Sequence, residues 1–363
     1  LPSDWSSDVC SSDLLNPDIY TARIMPYDDD GGDRYVLLRR YLERLVSERR
    51  NNRDNLLNVL SMGRGHSYNS ESKAAWAGEQ MALKEQLPDA FSPRGRVRFM
   101  DFDSPWPIKD SFLDEVQKPG LDLMLFHHHG AKDTQYLNGY RKGSDPNISK
   151  ENIRMYGRSK IRSAAEKKGR EEAIRYYMNL LDIPRSWVDD SFDDTRMAED
   201  SLYNLMLDIH LHDIRSITPT ARVIMLDVCY NGSFHEKENV AGAYLFGGGE
   251  TMVVQGNTVN VLQDKWPDEF LGLLAAGMRV GNWHRHVAYL ETHLIGDPTF
   301  HFSNSTDISF DLNEVLFSRK DDADFWLSLL AYPVVDLQAL ALRKLFECGY
   351  LPKIGRASCR ERV

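Results

Sequence analysis

Short apolar runs alternate with amphipathic segments along most of the chain, which predicts an α/β fold. Four runs have the length and apolar content of buried strands: 56–61, 97–102, 121–126 and 221–228. Three intervening segments repeat apolar side chains at helical spacing: 34–49, 70–86 and 108–117. Strands that alternate with helices build parallel sheets, so we expect a mostly parallel sheet with helices on both faces.

Residues 131–217 interrupt this alternation. They are polar, and 150–180 is predicted to form one long helix. Between residues 141 and 170 there are ten lysines and arginines against three acidic residues. We interpret 131–217 as a solvated helical insertion whose basic face suits an acidic partner.

The alternating pattern resumes after the insertion. Two further strands are predicted at 241–246 and 251–255, joined by a run of three glycines. Two helices are predicted at 265–279 and 283–292. The sheet domain is therefore expected to extend over residues 15–302.

Residues 303–353 differ in character and form a separate helical segment in the prediction. Amphipathic helices are expected at 323–330 and 337–346, and their leucine spacing resembles one HEAT-type repeat. One such repeat cannot bury its own apolar face. Either further repeats follow in the natural protein, where the tail would bind other proteins, or the segment is a capping helical hairpin.

Both ends of the 363-residue chain resemble translated sequencing adapters. Residues 4–14 read DWSSDVCSSDL and 354–363 read IGRASCRERV. We exclude 1–14 and 354–363 from fold reasoning and expect 15–353 to be a fragment of a longer, metagenomic chain. Two of the four cysteines are thereby removed, leaving Cys229 and Cys348, which do not make a disulfide framework.

The bulk composition excludes some classes of protein. The formal net charge is −10, so there is no general signal for nucleic-acid binding. No apolar run approaches the roughly 18 residues that cross a bilayer, so no membrane-spanning segment is predicted.

Reactive side chains follow two of the predicted strands directly. His127-His128-His129-Gly130 follows one strand, and Cys229-Tyr230-Asn231-Gly232 follows another. Ligands in open α/β sheets bind beyond the carboxyl ends of the strands. A cysteine and a histidine at two such ends predict a thiol nucleophile with its base.

His129 is the preferred base because glycine follows it and lets the backbone approach a substrate closely; His128 is the alternative. The backbone N–H groups of Gly130 and Cys229 are the candidate oxyanion hole. Each such donor stabilises a transition state by about 3–4 kcal/mol.

Four motifs, in order, resemble the gingipain family of bacterial cysteine peptidases, which shares the caspase-like fold. They are 17–24 (PDIYTARI, with Ala22 where the family usually has glycine), 126–130 (FHHHG), 227–234 (DVCYNGSF) and 294–299 (LIGDPT). The resemblance implies a caspase-like sheet with Cys229 as nucleophile and His129 as catalytic histidine. The family more often has glycine where this chain has His128, and 131–217 is a longer insertion than expected between its motifs.

The same resemblance places the pocket for the substrate side chain in the loops after the nucleophile strand and the next strand. It implicates 256–260, with Gly256, Asn257 and Thr258 as candidates, and Trp266 or Trp283 as walls. It names no residue that orients the histidine; Asp30 and Asp103 are candidates without a motif. It implies a peptide or protein substrate, no required cofactor, compatibility with structural calcium, and a secreted, cell-surface or periplasmic bacterial protein.

Two alternatives remain open from the sequence. The pairs His210/His212 and His284/His286 have the spacing of metal ligands on a strand, which would suit a metallohydrolase. Both pairs fall in predicted helical or irregular segments, where side chains at i and i+2 diverge, so no metal ligand is assigned. The other alternative is a non-catalytic surface or scaffold protein that keeps the fold.

Overall fold

A mixed α/β architecture surrounds one six-stranded sheet. The computed structural model describes residues 19–27, 33–51, 55–65, 71–101, 104–261, 269–287 and 290–350, without the side chains of 71–76. The described residues form nine strands: β1 (Val59–Arg64), β2 (Arg96–Met100), β3 (Leu123–His127), β4 (His129–Ala131), β5 (Thr134–Tyr136), β6 (Ile209–His210), β7 (Val223–Asp227), β8 (Val253–Asn257) and β9 (Thr292–Gly296).

The main sheet has the strand order β2-β1-β3-β7-β8-β9. Every pairing in it is parallel except β8 with β9, so the expectation of a mostly parallel sheet is confirmed. The central strands β3 and β7 are buried along their whole length. This explains why both read as uninterrupted apolar runs rather than as alternating patterns.

Helices account for most of the remaining described chain. They are α1 (Arg34–Arg50), α2 (Glu71–Gln86), α3 (Ile108–Val116), α4 (Pro146–Lys168), α5 (Arg170–Leu181), α6 (Asp194–Leu207), α7 (Leu211–Arg215), α8 (Val240–Phe246), α9 (Leu271–Ala275), α10 (Val280–Val287), α11 (Leu312–Ser318), α12 (Ala323–Leu329) and α13 (Val335–Glu347). No helix of the described residues is long and apolar enough to cross a membrane.

Helices cover the sheet around its central strands. On one face, the Phe126 ring lies 6.1 Å from Phe112 of α3 and 5.7 Å from Tyr244 of α8. Side chains alternate between the two faces along a strand, so Arg64 at the end of β1 lies on the face opposite to Phe126. There it interacts electrostatically with Glu79 of α2. The core therefore continues on both sides of β3.

The predicted strand 241–246 is wrong, because this segment is the helix α8. Its N-cap is Asn239, whose side-chain oxygen accepts from the Gly242 N–H at 2.8 Å. All seven residues of α8 are buried, so no polar face marks the helical period. A short segment that is apolar all round cannot be distinguished from a buried strand by periodicity.

Three predicted helices also differ in extent. The segment 150–180 is two helices, because Gly169 has a φ of +83° that ends α4 and begins α5. The helix predicted at 283–292 is α10, which begins at Val280 and ends at Val287. Of the described residues 269–279, only 271–275 are helical, and residues 262–268 lie outside the described part of the chain.

The insertion 131–217 is largely helical, as expected, and has an apolar cluster of its own. Its strands belong to a small antiparallel sheet of β4, β5 and β6. Helices α4 and α5 and the segment that follows α5 bury five side chains together: Ile161, Ala173, Ile174, Ile183 and Val188. Beside this cluster, the buried guanidinium of Arg158 donates to both carboxylate oxygens of Asp200, at 2.8 and 2.7 Å.

The C-terminal segment packs on the sheet domain. Helix α13 buries Leu337, Leu340 and Leu345 in the main core. Asp336 in its first turn accepts from the Gly272 N–H of α9 at 2.6 Å. The α12–α13 hairpin thus covers its apolar side with the domain that precedes it.

We predict that Asp200→Ala destabilises the insertion by about 3–5 kcal/mol, because it leaves the buried Arg158 charge without its main partner. The matched control is Asp189→Ala, which removes an exposed i,i+4 ion pair with Arg185 at 2.9 Å in the same insertion; this should change stability by about 0.5 kcal/mol or less. The stability of both variants is measured by amide hydrogen exchange of the helices α4–α6. Equal protection in the two variants would contradict the prediction.

Candidate active site

The pairing of β3 with β7 brings the two reactive segments together. The strands run in parallel with His127 opposite Asp227. His129 and Cys229 each follow that paired position by two residues. The segments that carry them therefore leave the sheet side by side at its carboxyl edge.

Gly130 packs closely against the cysteine loop. A Cβ atom placed on it would lie 3.0 Å from the Cys229 carbonyl oxygen, 2.7 Å from Asn231 Nδ2 and 2.3 Å from Val228 Cγ1. Any larger residue would push the histidine segment away from the cysteine loop. The glycine after His129 is thus required by close packing against that loop.

Asn231, which the sequence reasoning did not select, holds the two segments together. Its side chain is buried, and Nδ2 donates to the backbone carbonyls of Ala131 and Thr134, the latter at 3.1 Å. Tyr230 before it has a φ of +60°, so the chain turns sharply after Cys229. The Asn-Gly pair after the cysteine was the available sequence signal for this turn.

The Cys229 thiol is half-buried and contacts a third segment. The Val261 N–H donates to Sγ at 3.3 Å, and Sγ lies 3.6 Å from the Val261 carbonyl oxygen. A backbone N–H directed at sulfur interacts more strongly with a thiolate than with a thiol. The described structure therefore provides one donor for negative charge on Cys229.

His128 is fully engaged in a buried hydrogen-bond chain. Tyr244 O–H donates to Gln135 Oε1 at 2.6 Å, and Gln135 Nε2 donates to His128 Nε2 at 2.9 Å. The His129 carbonyl can only accept, so His128 Nδ1 donates to it at 2.8 Å. Burial lowers the pKa of His128 to about 3, so its ring is neutral and structural at neutral pH.

His129 lies on β4 and is half-exposed. Burial lowers its pKa, and the nearby His127 lowers it further. Its imidazole is consequently neutral at neutral pH, as a general base must be before it accepts a proton. Exposure, protonation state and position all favour His129 over His128 as the base.

A buried pair of His127 and Asp227 lies at the ends of the same two strands. His127 Nδ1 is 2.5 Å from Asp227 Oδ2, and both side chains are less than 10% exposed. Sequence reasoning missed this pair, although each residue precedes a selected residue by two positions. Asp30 and Asp103, the acidic residues named from the sequence, lie outside the described residues.

The candidate pocket residues lie behind the cysteine loop. Gly256 and Asn257 are buried in β8, and Asn257 Nδ2 donates to the carbonyls of Leu226 and Val228 at 3.3 and 3.2 Å. Thr258 is half-buried and donates to the Glu291 carbonyl through its N–H at 2.9 Å. The two Asn257 bonds tie the end of β8 to the end of β7 and to the start of the cysteine loop.

The structure describes one of the two tryptophans that were predicted as pocket walls. Trp283 is fully buried in α10, with Nε1–H donating to the Glu269 carbonyl at 2.8 Å. Its ring is therefore part of the core and does not line an open surface. Trp266 lies outside the described residues.

The two His-x-His pairs lie on elements other than the strands β3 and β7. The rings of His210 and His212 stack at 5.7 Å beside the β6–α7 junction. His284 and His286 lie on α10, and burial lowers the pKa of both. In the part of the chain that the structure describes, no group of three or more His, Cys, Asp or Glu side chains could hold a metal ion.

We predict that His128 makes stability depend on pH. Its folded-state pKa is depressed to about 3 from 6.5, so its contribution is complete above pH 6.5 and is lost as the pH falls toward 3. Relative to His128→Asn, whose amide can still donate to the His129 carbonyl, the wild type should lose about 2 kcal/mol between pH 7 and pH 5. Urea unfolding at both pH values measures this.

The matched control is His301→Asn, which replaces an exposed histidine whose Nδ1 also bonds a backbone carbonyl, at 3.0 Å. Its stability curve should remain parallel to that of the wild type. If His128→Asn also stays parallel to the wild type, His128 is not held neutral by burial.

No family model matches this chain, and neither a curated protein nor a solved structure is significantly similar to it.

Proposed function

We propose that the protein is a cysteine endopeptidase with a caspase-like fold, related to the gingipain family that its motifs resemble. One observation carries the proposal. The His129–Gly130 segment packs directly on the Cys229 backbone, so closely that a Cβ added to Gly130 would lie 3.0 Å from the Cys229 carbonyl oxygen. A thiol and a neutral imidazole on touching segments form the pair that thiol hydrolases use.

The sheet topology supports the same proposal. A caspase-like peptidase requires its histidine and cysteine at the ends of neighbouring parallel strands, and β3 and β7 are such neighbours. The site also lies at the carboxyl edge of the sheet, where α/β proteins bind their ligands. Neither feature depends on the motif resemblance.

The proposed reaction uses groups of this chain alone. His129 takes the thiol proton as Cys229 Sγ forms a bond to the scissile carbonyl carbon, and the N–H groups of Gly130 and Cys229 stabilise the oxyanion. The imidazolium then protonates the leaving amine as the C–N bond breaks, which leaves a thioester. Water attacks the thioester with His129 as base, releasing the acid and restoring the thiol.

We predict that Cys229→Ala and His129→Ala each reduce peptide hydrolysis by at least about 1,000-fold, because each removes one half of the dyad. The measurement is turnover of a fluorogenic peptide library under reducing conditions. The library also reads out which side chain is preferred before the cleaved bond. Oxidation of the thiolate should abolish activity reversibly if it stops at a disulfide or sulfenic acid.

The matched control is Cys348→Ala, which should retain full activity. Cys348 Sγ lies 3.2 Å from the Lys320 carbonyl in the C-terminal segment, and burial together with nearby carboxylates raises its pKa. Full activity in Cys229→Ala would refute the proposal. A folded wild type that cleaves no peptide and alkylates slowly at Cys229 would instead favour the non-catalytic scaffold.

A further inference from the structure

We propose that His127 and Asp227 form a positioning unit for the dyad, which ties the two reactive segments together and sets how readily the dyad takes up a proton. The inference rests on the proposed function in that it takes Cys229 and His129 as the dyad. His127 and Asp227 are positioning residues in this proposal, because they act on the dyad and do not touch substrate.

The geometry of the pair supports a single role for both residues. They are opposite each other on adjacent parallel strands, so their side chains point to the same face of the sheet. At 2.5 Å, the imidazole nitrogen and the carboxylate oxygen can only approach with a proton between them. We take His127 as the imidazolium of the pair, because an imidazolium beside a carboxylate has no net charge and burial disfavours a net charge.

The pair is coupled to the dyad through space and along the chain. His129 and Cys229 each follow a member of the pair by two residues. The pKa of His129 is lowered first by burial and then by the positive end of the pair at His127. Loss of that positive end should make the dyad bind protons more tightly.

Other charged groups face the pair from neighbouring elements, and the variants used in the test leave these groups unchanged. Arg64 on β1 is paired in register with His127 and is buried. Burial lowers the pKa of Arg64, while Asp101 after β2 and Glu79 of α2 oppose that change.

The test changes the charge of the pair while keeping its hydrogen bond. In His127→Asn, the Asn Nδ2–H replaces the Nδ1–H toward Asp227, so the pair becomes negative. In the double variant His127→Asn with Asp227→Asn, the pair is neutral again. If the protonation of the dyad depends on the charge of the His127–Asp227 pair, it should change only in the single variant.

The measurement is the rate of alkylation of Cys229 by iodoacetamide across pH, read by mass spectrometry of the Cys229 peptide in the full chain. The lower inflection should move upward by about 0.5–1 pH unit in His127→Asn. It should return close to the wild-type value in the double variant, as a charge-based coupling requires. His301→Asn is the matched control and should leave the inflection unchanged.

Two outcomes would overturn the proposal. If His127→Asn leaves the inflection of the alkylation rate at the wild-type pH, the protonation of the dyad does not depend on the pair. If the double variant shifts as far as the single one, the pair contributes only to packing.

A measurement on the wild type covers the case in which His127→Asn does not fold. The far-downfield proton resonance of the pair should shift with the same inflection as the alkylation rate, and a resonance that stays constant across that range would overturn the proposal. Peptide hydrolysis is recorded separately: its absence, together with a normal alkylation response, would remove the endopeptidase assignment and leave the positioning unit intact.

Discussion

The parallel pairing of β3 with β7 is the constraint on which the candidate site depends. Both strands are buried along their whole length, so a shift of register by one residue would move every side chain to the opposite face. The register fixes His127 opposite Asp227, and everything beyond the strand ends follows from that alignment. The apolar core of the sheet thereby determines the position of the polar groups at its edge.

The insertion is part of the site as well as an appendage. It follows His129 and Gly130 directly, and β4 turns back at once through β5, whose Gln135 holds His128. Asn231 on the cysteine loop then binds the carbonyls of this same hairpin. The helices α4 and α5 contribute to a separate apolar cluster, so the hairpin is the part of the insertion that contacts the candidate site.

The sequence predicted the elements whose residue patterns are local. It did not predict the features that depend on contacts between distant parts of the chain. Strands β3 and β7 were recognisable because burial on both faces makes an apolar run. Helix α8 was mistaken for a strand because all its residues are buried. The preference for His129 over His128 rested on Gly130 alone, because the contacts that bury His128 involve Gln135 and Tyr244, the latter more than a hundred residues away. The His127–Asp227 pair was within reach of the sequence, once the two strands were taken as neighbours in register.

Three consecutive histidines have three different environments because extended chain alternates its side chains between two faces. His128 turns toward Phe126 and the buried Gln135–Tyr244 chain, where a proton is not tolerated. His127 turns the other way to a carboxylate that shares its proton. Of the three, only His129 is half-exposed, on the segment that packs against the Cys229 loop, and its pKa is lowered. Their shared residue type therefore implies no shared role: buried partners hold the rings of His128 and His127, whereas the ring of His129 is half-exposed.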